Sequence, residues 1–251
     1  MATARPHDPG RRDRGVRPPL SIAVAQPRCV PHDVRVNASI HAQAVRDARA
    51  RIVVFPELSL TGYEREATPV DPEAAALDPI VRACGETGSM VLVGAPVVGP
   101  RDQVFIAMLA VSPTGVSVLY RKRWLGEEES IRFSPGDEPT VLEVDGWRMG
   151  VGICKDTGVR EHVERMAELG IHAYCAGLVH LPEELGRQEE RAVSIAQRCR
   201  VFVAFASFVG PTGGGYVRTA GSSAIWSCTG EVLARAGTLA GELAKATLVS
   251  P

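Results

Sequence analysis

From Ser21 onward, short apolar runs alternate with longer stretches in which apolar and polar positions mix at helical spacing. A continuous apolar run bounded by turn residues is the pattern of a strand buried on both faces, and the mixed stretches are that of helices packed on one side. SIAVAQ (21–26) and RIVVFPE (51–57) therefore predict buried strands, separated by a helix over 33–50 whose start is marked by Pro31 and Asp33. A second helix is expected from Pro72 to about Cys84, followed by a strand at SMVLVGAP (89–96). VFIAMLAVS (104–112) and VSVLYRK (116–122) form a hairpin-like pair across Pro113, Thr114 and Gly115, and VLEV and WRMGVGI repeat the pattern across Asp145 and Gly146.

The second half continues with a helix over 160–169, a strand at IHAYCAG, a long helix from Pro182 to about Arg198 and a strand at VFVAFAS. It closes with GSSAIWS and EVLARAG, paired through Cys228, Thr229 and Gly230. Each half supplies helices and a largely buried sheet, which implies a mixed α/β domain of two sheets packed face to face with helices outside. A doubly wound single sheet is the alternative.

Composition narrows the function classes. The chain has 251 residues, a length that one large domain accommodates, and we take 20–251 as that domain and the Arg- and Pro-rich residues 1–19 as a disordered tail. Apolar residues make up 45% and charged residues 23%, with no apolar stretch near the ~20 residues that span a membrane. A formal net charge of -1 leaves no electrostatic footprint for nucleic acid or an anionic membrane surface, so a small neutral substrate fits better. The six cysteines (Cys29, Cys84, Cys154, Cys175, Cys199, Cys228) show no CxxC pair and no regular spacing. Neither a metal site nor a disulfide framework is expected, and a reducing cytoplasm is the simplest setting. Of 28 basic residues only three are lysines, Lys122, Lys155 and Lys245.

Three segments share a layout in which an apolar run ends on a polar group: IVVFP before Glu57, VSVLYR before Lys122 and MGVGI before Cys154. Strand ends are where α/β folds gather side chains for chemistry. Cys154 is followed by Lys155, Asp156, Thr157 and Gly158 and then a helix, a strand-to-helix turn whose amides and dipole favour a thiolate. Taken alone, Cys154 is equally well a packed core residue, Glu57 a capping or solvated carboxylate, and Lys122 a solvated strand-end charge. A carboxylate drawn partly out of water has a raised pKa, which suits a general base near neutral pH. No G-x-G-x-x-G follows a strand, and Gly213-Gly214-Gly215 lacks the Lys and Ser/Thr of a phosphate loop, so we read it as a flexible turn near the site.

Together, FPELSLTGY (55–63), YRKRWL (120–125) leading through Glu129 to FSPGD (133–137), GICKD (152–156) ending at Glu161, and GSSAIWSCTGEVLARAG resemble the nitrilase, or carbon-nitrogen hydrolase, superfamily. The resemblance covers the chain from Ser21 to about Gly237. It implies a four-layer α-β-β-α sandwich, a cofactor-free Glu-Lys-Cys triad and a homo-oligomer. Carried over by position, Glu57 matches the base, Lys122 the cation facing the oxyanion, Cys154 the nucleophile and Glu129 the second glutamate that positions Lys122 and substrate. The backbone N–H of Lys155 would complete the oxyanion hole. Trp124 stands where His is common, and Lys155 where an aromatic residue or Asn often follows the cysteine; both become expected pocket residues, together with Tyr63 and Asp156. The expected reaction is hydrolysis of a small linear amide, with N-carbamoyl or nitrile hydrolysis as variants on the same triad. Acyl transfer and a catalytically silent binding protein are the other readings. A cysteine protease is disfavoured because none of the six histidines lies in a motif resembling a His partner.

Overall fold

The structure, a computed structural model, describes residues 17–136 and 138–250. The first half of the chain builds β1 (Leu20–Ala25), β2 (Ile52–Val54), β3 (Met90–Val98), β4 (Val104–Ser112) and β5 (Gly115–Arg121). The second builds β6 (Val141–Val144), β7 (Trp147–Ile153), β8 (Ala173–Leu178), β9 (Phe202–Ser207), β10 (Ala224–Trp226) and β11 (Val232–Arg235), and a last strand, β12 (Leu243–Leu248), ends the chain. They form two six-stranded sheets, ordered β12-β1-β2-β3-β4-β5 and β11-β10-β9-β8-β7-β6. Strands β1, β2 and β3 are mutually parallel, as are β7, β8 and β9.

The sheets face each other across one core, to which the first contributes Ile22, Val24, Ile52, Ile106 and Met108 and the second Met149, Val151, Ile153 and Ala206. The alternate residues point outward and are covered as well. Val53, Val91 and Val93 meet α1 (Val34–Ala48) and α2 (Asp78–Thr87) through Val45 and Ile80. Tyr174, Val203 and Phe205 meet α3 (Arg160–Glu168) and α4 (Leu185–Cys199) through Met166, Ala192 and Ile195. Both faces of the central strands are thus apolar, which is why their sequences read as unbroken runs. The expected four-layer α-β-β-α sandwich is present, and the single doubly wound sheet is not.

Three expectations are corrected. The helix expected from Pro72 begins later, as a short turn at Ala75–Leu77 and then α2, whose Pro79 sits in the first turn where a missing N–H goes unfelt. β12 was not anticipated: four of the six residues of its LAKATL are alanine or polar, and it is recruited by the open edge of β1, pairing antiparallel from Leu20↔Leu248 to Ala25↔Leu243. Of the proposed tail, residues 1–16 lie outside the described residues, but Arg17 and Pro18 dock. The Arg17 guanidinium lies over the Trp147 ring, and Trp147 Nε1 donates to the Pro18 carbonyl at 2.8 Å. Among the described residues no helix is long and apolar enough to cross a membrane.

One packing detail positions the site. The chain leaving β2 passes between the two sheets, and the strands on either side present glycine to it. A Cβ on Gly94 of β3 would fall 2.3 Å from Leu58 N, and one on Gly177 of β8 would fall 2.7 Å from both Glu57 N and Phe55 O. Those neighbours are backbone and cannot swing aside. Gly177→Ala is therefore expected to shift Glu57 and to cost ~1 to 3 kcal/mol from overpacking; with Glu57 as the base that the resemblance implies, turnover is expected to fall on the order of 10²-fold. Melting curves and kcat measured together check this, and a variant with wild-type values of both would show that the segment has slack.

Candidate active site

The three strand ends converge as expected. Lys122 directly follows β5, and its N–H still donates to the Ile106 carbonyl at 2.7 Å, so the last rung of the ladder fixes where its side chain starts. The side chain runs inward until Nζ lies 2.7 Å from Glu57 Oε1 and 2.7 and 2.8 Å from the two oxygens of Glu129. Glu57 is 0% exposed, Lys122 1% and Glu129 6%, so this is a buried cluster in which each charge depends on its neighbours.

The two carboxylates differ in their surroundings. Glu129 accepts from Lys122, from the Gly126 N–H at 2.7 Å and from the Tyr63 hydroxyl at 3.2 Å. Burial pushes its pKa up, and these donors outweigh burial and hold it below the usual carboxylate range. Glu57 has one partner, Lys122, while Oε2 is buried with no hydrogen-bond partner among the described residues. Burial therefore dominates, helped by the nearby Cys154 and Glu129, and raises the Glu57 pKa well above normal despite Lys122. Lys122 remains charged, because the surrounding Glu57, Cys154 and Glu129 overcome the desolvation that opposes its charge. The surroundings thus drive the pKa values of the two carboxylates apart, Glu129 downward and Glu57 upward.

Cys154 opens a 3-10 turn, Cys154–Gly158, which precedes α3; the thiol thus stands one short turn away from the helix start that the sequence suggested. Its φ is +42°, a left-handed value unusual for a residue other than glycine and of the kind that clusters at functional sites. The side chain is half-buried, with Sγ 3.6 Å from the Val179 carbonyl. The turn is held from beneath by Asp156, which is 0% exposed. Its Oδ2 accepts from Ile153 N at 3.0 Å and the Tyr120 hydroxyl at 2.9 Å, and its Oδ1 accepts from Trp124 N at 3.2 Å. Tyr120 and Trp124 flank Lys122, so one carboxylate ties the cysteine turn to the lysine segment.

Asp156→Asn makes that dependence measurable. An amide nitrogen would face either the Ile153 N–H or the Trp124 N–H, donor against donor. The expected cost is ~1 to 3 kcal/mol for the unmet buried donor, read as a drop in melting temperature accompanied by reduced kcat. Wild-type stability and turnover would show that the carboxylate does not hold the turn.

A cavity of about 440 Å³ opens over the cluster, lined by Tyr63, Lys122, Glu129, Cys154, His180 and Tyr216 among others. Glu57 is not among the lining residues. Of the expected pocket residues, Tyr63 and Lys155 are in the lining, and the Tyr63 ring makes T-shaped contacts with the Tyr216 and Phe208 rings. Trp124 and Asp156 are not in the lining. Trp124 packs edge-on against His162, with ring centroids 5.2 Å apart, and Asp156 is consumed by the bonds just described. The Gly213–Gly215 run does approach the site, since Gly213 N donates to the Gly62 carbonyl at 2.8 Å and Tyr216 follows. His180, Tyr216, Arg187 and Arg191 were not foreseen. The available signal was that Val179 and His180 follow the apolar run of β8, the same layout that marked Glu57, Lys122 and Cys154. Among the described residues no group of three or more His, Cys, Asp or Glu is placed to hold a metal ion.

A family model described as carbon-nitrogen hydrolase matches residues 21–250. The chain belongs to that family. As a carbon-nitrogen hydrolase it is an enzyme acting on C–N bonds, and its relatives agree. A hydrolase encoded in the pqqF 5' region of Pseudomonas protegens is 28% identical over 86% of this chain and 79% of its own length. An (R)-stereoselective amidase of a Pseudomonas species is 26% identical over 80% of this chain and 74% of its own. Among solved structures, an amidase from Nesterenkonia sp. superimposes with a TM-score of 0.82 at 23% identity, covering 92% of this chain and 90% of that one, a likeness that shows the fold.

Proposed function

We propose that this carbon-nitrogen hydrolase converts a small linear amide to a carboxylate plus ammonia or an amine, through a thioester on Cys154. The observation that carries the reading is Lys122 Nζ held between Glu57 and Glu129 at the floor of the cavity onto which Cys154 opens. An ammonium has three N–H donors. One is directed to Glu57 Oε1 and one is shared by the two Glu129 oxygens, so a third is left for a substrate oxygen.

Glu57 takes the thiol proton as Cys154 Sγ attacks the amide carbon. The oxyanion forms against Lys122 Nζ and the backbone N–H of Lys155, on the same turn as the nucleophile. Collapse of the tetrahedral adduct breaks the C–N bond, and the departing nitrogen takes the proton back from Glu57. Water then attacks the thioester, again losing a proton to Glu57, and the expelled thiolate takes that proton back, which releases the acid and restores the Cys154 thiol. Throughout, Glu129 keeps its charge and holds Lys122 in place. The (R)-stereoselective amidase among the relatives supports placing amides first.

The test is ammonia or amine release by purified protein from short aliphatic amides, N-carbamoyl compounds and nitriles. Turnover of amides above the other two classes is the expected result. Release from nitriles or carbamoyl compounds alone would reassign the substrate, and no release from any of them would remove the hydrolytic reading.

A further inference from the structure

His180 is the feature of the cavity that the triad chemistry leaves unused. It lies two residues past the end of β8, next to Val179, whose carbonyl meets the Cys154 thiol at 3.6 Å. The residue is only 4% exposed, yet it lines the cavity, so what remains of its surface opens onto the substrate space. Its Nδ1 is 3.1 Å from Gln188 Oε1 on α4, the ring's only hydrogen bond among the described residues. An amide oxygen accepts, so Nδ1 carries the proton and Nε2 is left with its lone pair.

The partner is as informative as the ring. Gln188 is 0% exposed, its side-chain Nε2 is buried without a partner, and its one side-chain hydrogen bond among the described residues is the one to His180. An amide buried with an unmet N–H₂ costs stability where an apolar residue of like size would not. Its visible effect is to fix the orientation and tautomer of one imidazole at the wall of the cavity. Burial, with the nearby Arg191 acting in the same direction, keeps that imidazole neutral in spite of the Gln188 bond and the surrounding glutamates.

We infer that His180 is a specificity-determining residue whose Nε2 accepts a hydrogen bond from an N–H of the substrate, so that the site selects amides bearing N–H over isosteric acyl compounds that lack it. The inference rests on the amidase reading above and deepens it. Lys122 and the oxyanion donors recognise only the carbonyl oxygen, which an ester of the same acid presents equally. An acceptor on the nitrogen side distinguishes the two.

The test compares kcat/KM for a short primary amide with that for the ethyl ester of the same acid, both passing through the same thioester on Cys154. His180→Leu is expected to lower the amide-to-ester ratio roughly 10- to 100-fold, the effect of one lost hydrogen bond to a buried partner. His180→Gln, which keeps an acceptor oxygen, is expected to recover part of it, and melting curves report on folding. A second measurement is independent of both variants. With ¹⁵N-labelled histidine in Cys154→Ala, saturating amide should move the His180 Nε2 signal upfield, as for an imidazole nitrogen accepting a hydrogen bond, and the ester should not. Equal losses on amide and ester, or an Nε2 signal unmoved by bound amide, would overturn the inference and leave the amidase reading standing. A wild-type enzyme that neither binds nor cleaves any amide would remove that reading, and the inference with it.

Discussion

Cys154→Ala is expected to fold and melt as the wild type does while losing turnover by 10³-fold or more, on the order seen when a covalent nucleophile is removed. The structural reason is that the turn does not depend on the thiol. Asp156 and Thr157 hold it, through Ile153 N, the Tyr120 hydroxyl, Trp124 N and the Cys154 carbonyl, and none of those bonds involves Sγ. The contact that is lost, Sγ to the Val179 carbonyl at 3.6 Å, is a weak one. Intact-mass measurement after brief exposure of the wild type to amide should show an acyl adduct that maps to Cys154. Full activity in the variant, or the adduct on Cys84 or Cys199, would end the assignment. Both of those thiols are buried on helices.

Lys122→Arg is the second large effect, in a protein that writes 25 of its 28 basic residues as Arg and so has no general aversion to guanidinium. Nζ is a single centre reached by Glu57 Oε1 at 2.7 Å and both Glu129 oxygens at 2.7 and 2.8 Å. A planar guanidinium spreads its donors sideways, and beside side chains 0% and 6% exposed there is no room for the fork except in the substrate space. Loss of one well-placed oxyanion donor costs ~2.7 to 4 kcal/mol, about 10² to 10³ in turnover, and displacement of Glu57 adds to it. The fold should tolerate the change better than the chemistry does, because charge and both carboxylate partners remain. A well-folded variant keeping more than about a third of wild-type kcat would show that Lys122 does not face the oxyanion.

The architecture and the floor of the candidate site were legible because each has a one-dimensional signature. Strands covered on both faces read as unbroken apolar runs, and a polar group closing such a run is conspicuous, which is how Glu57, Lys122 and Cys154 stood out. Glu129 has no such local mark, lying in a stretch of three glutamates, and it emerged only from the order of motifs around it. Glu127 and Glu128 are exposed while Glu129 is buried, a difference set by a 3-10 turn and the reach of Lys122. Trp124 and Asp156 were placed in the pocket because each lies within two residues of a catalytic candidate. At a tight turn such neighbours point to different sides, and both were drawn behind the site by bonds within it. His180 and Tyr216 come from loops whose paths are set by β8, β9 and the glycine run together.

The antiparallel pairing of Leu20 with Leu248 makes the sheet of the first half depend on two segments more than 200 residues apart. During synthesis at ~5 to 20 residues per second, β1 emerges roughly 10 to 50 seconds before its partner strand exists. Through that interval its outer edge presents unpaired N–H and C=O groups, a template for pairing with another nascent chain. The Trp147 anchor on Pro18 likewise arrives only 129 residues later. Closing of the sandwich is therefore a late event on the ribosome. Loss of the final strand through a premature stop would leave every catalytic group encoded and yet yield a polypeptide prone to self-association, so its phenotype would be one of solubility before it was one of chemistry.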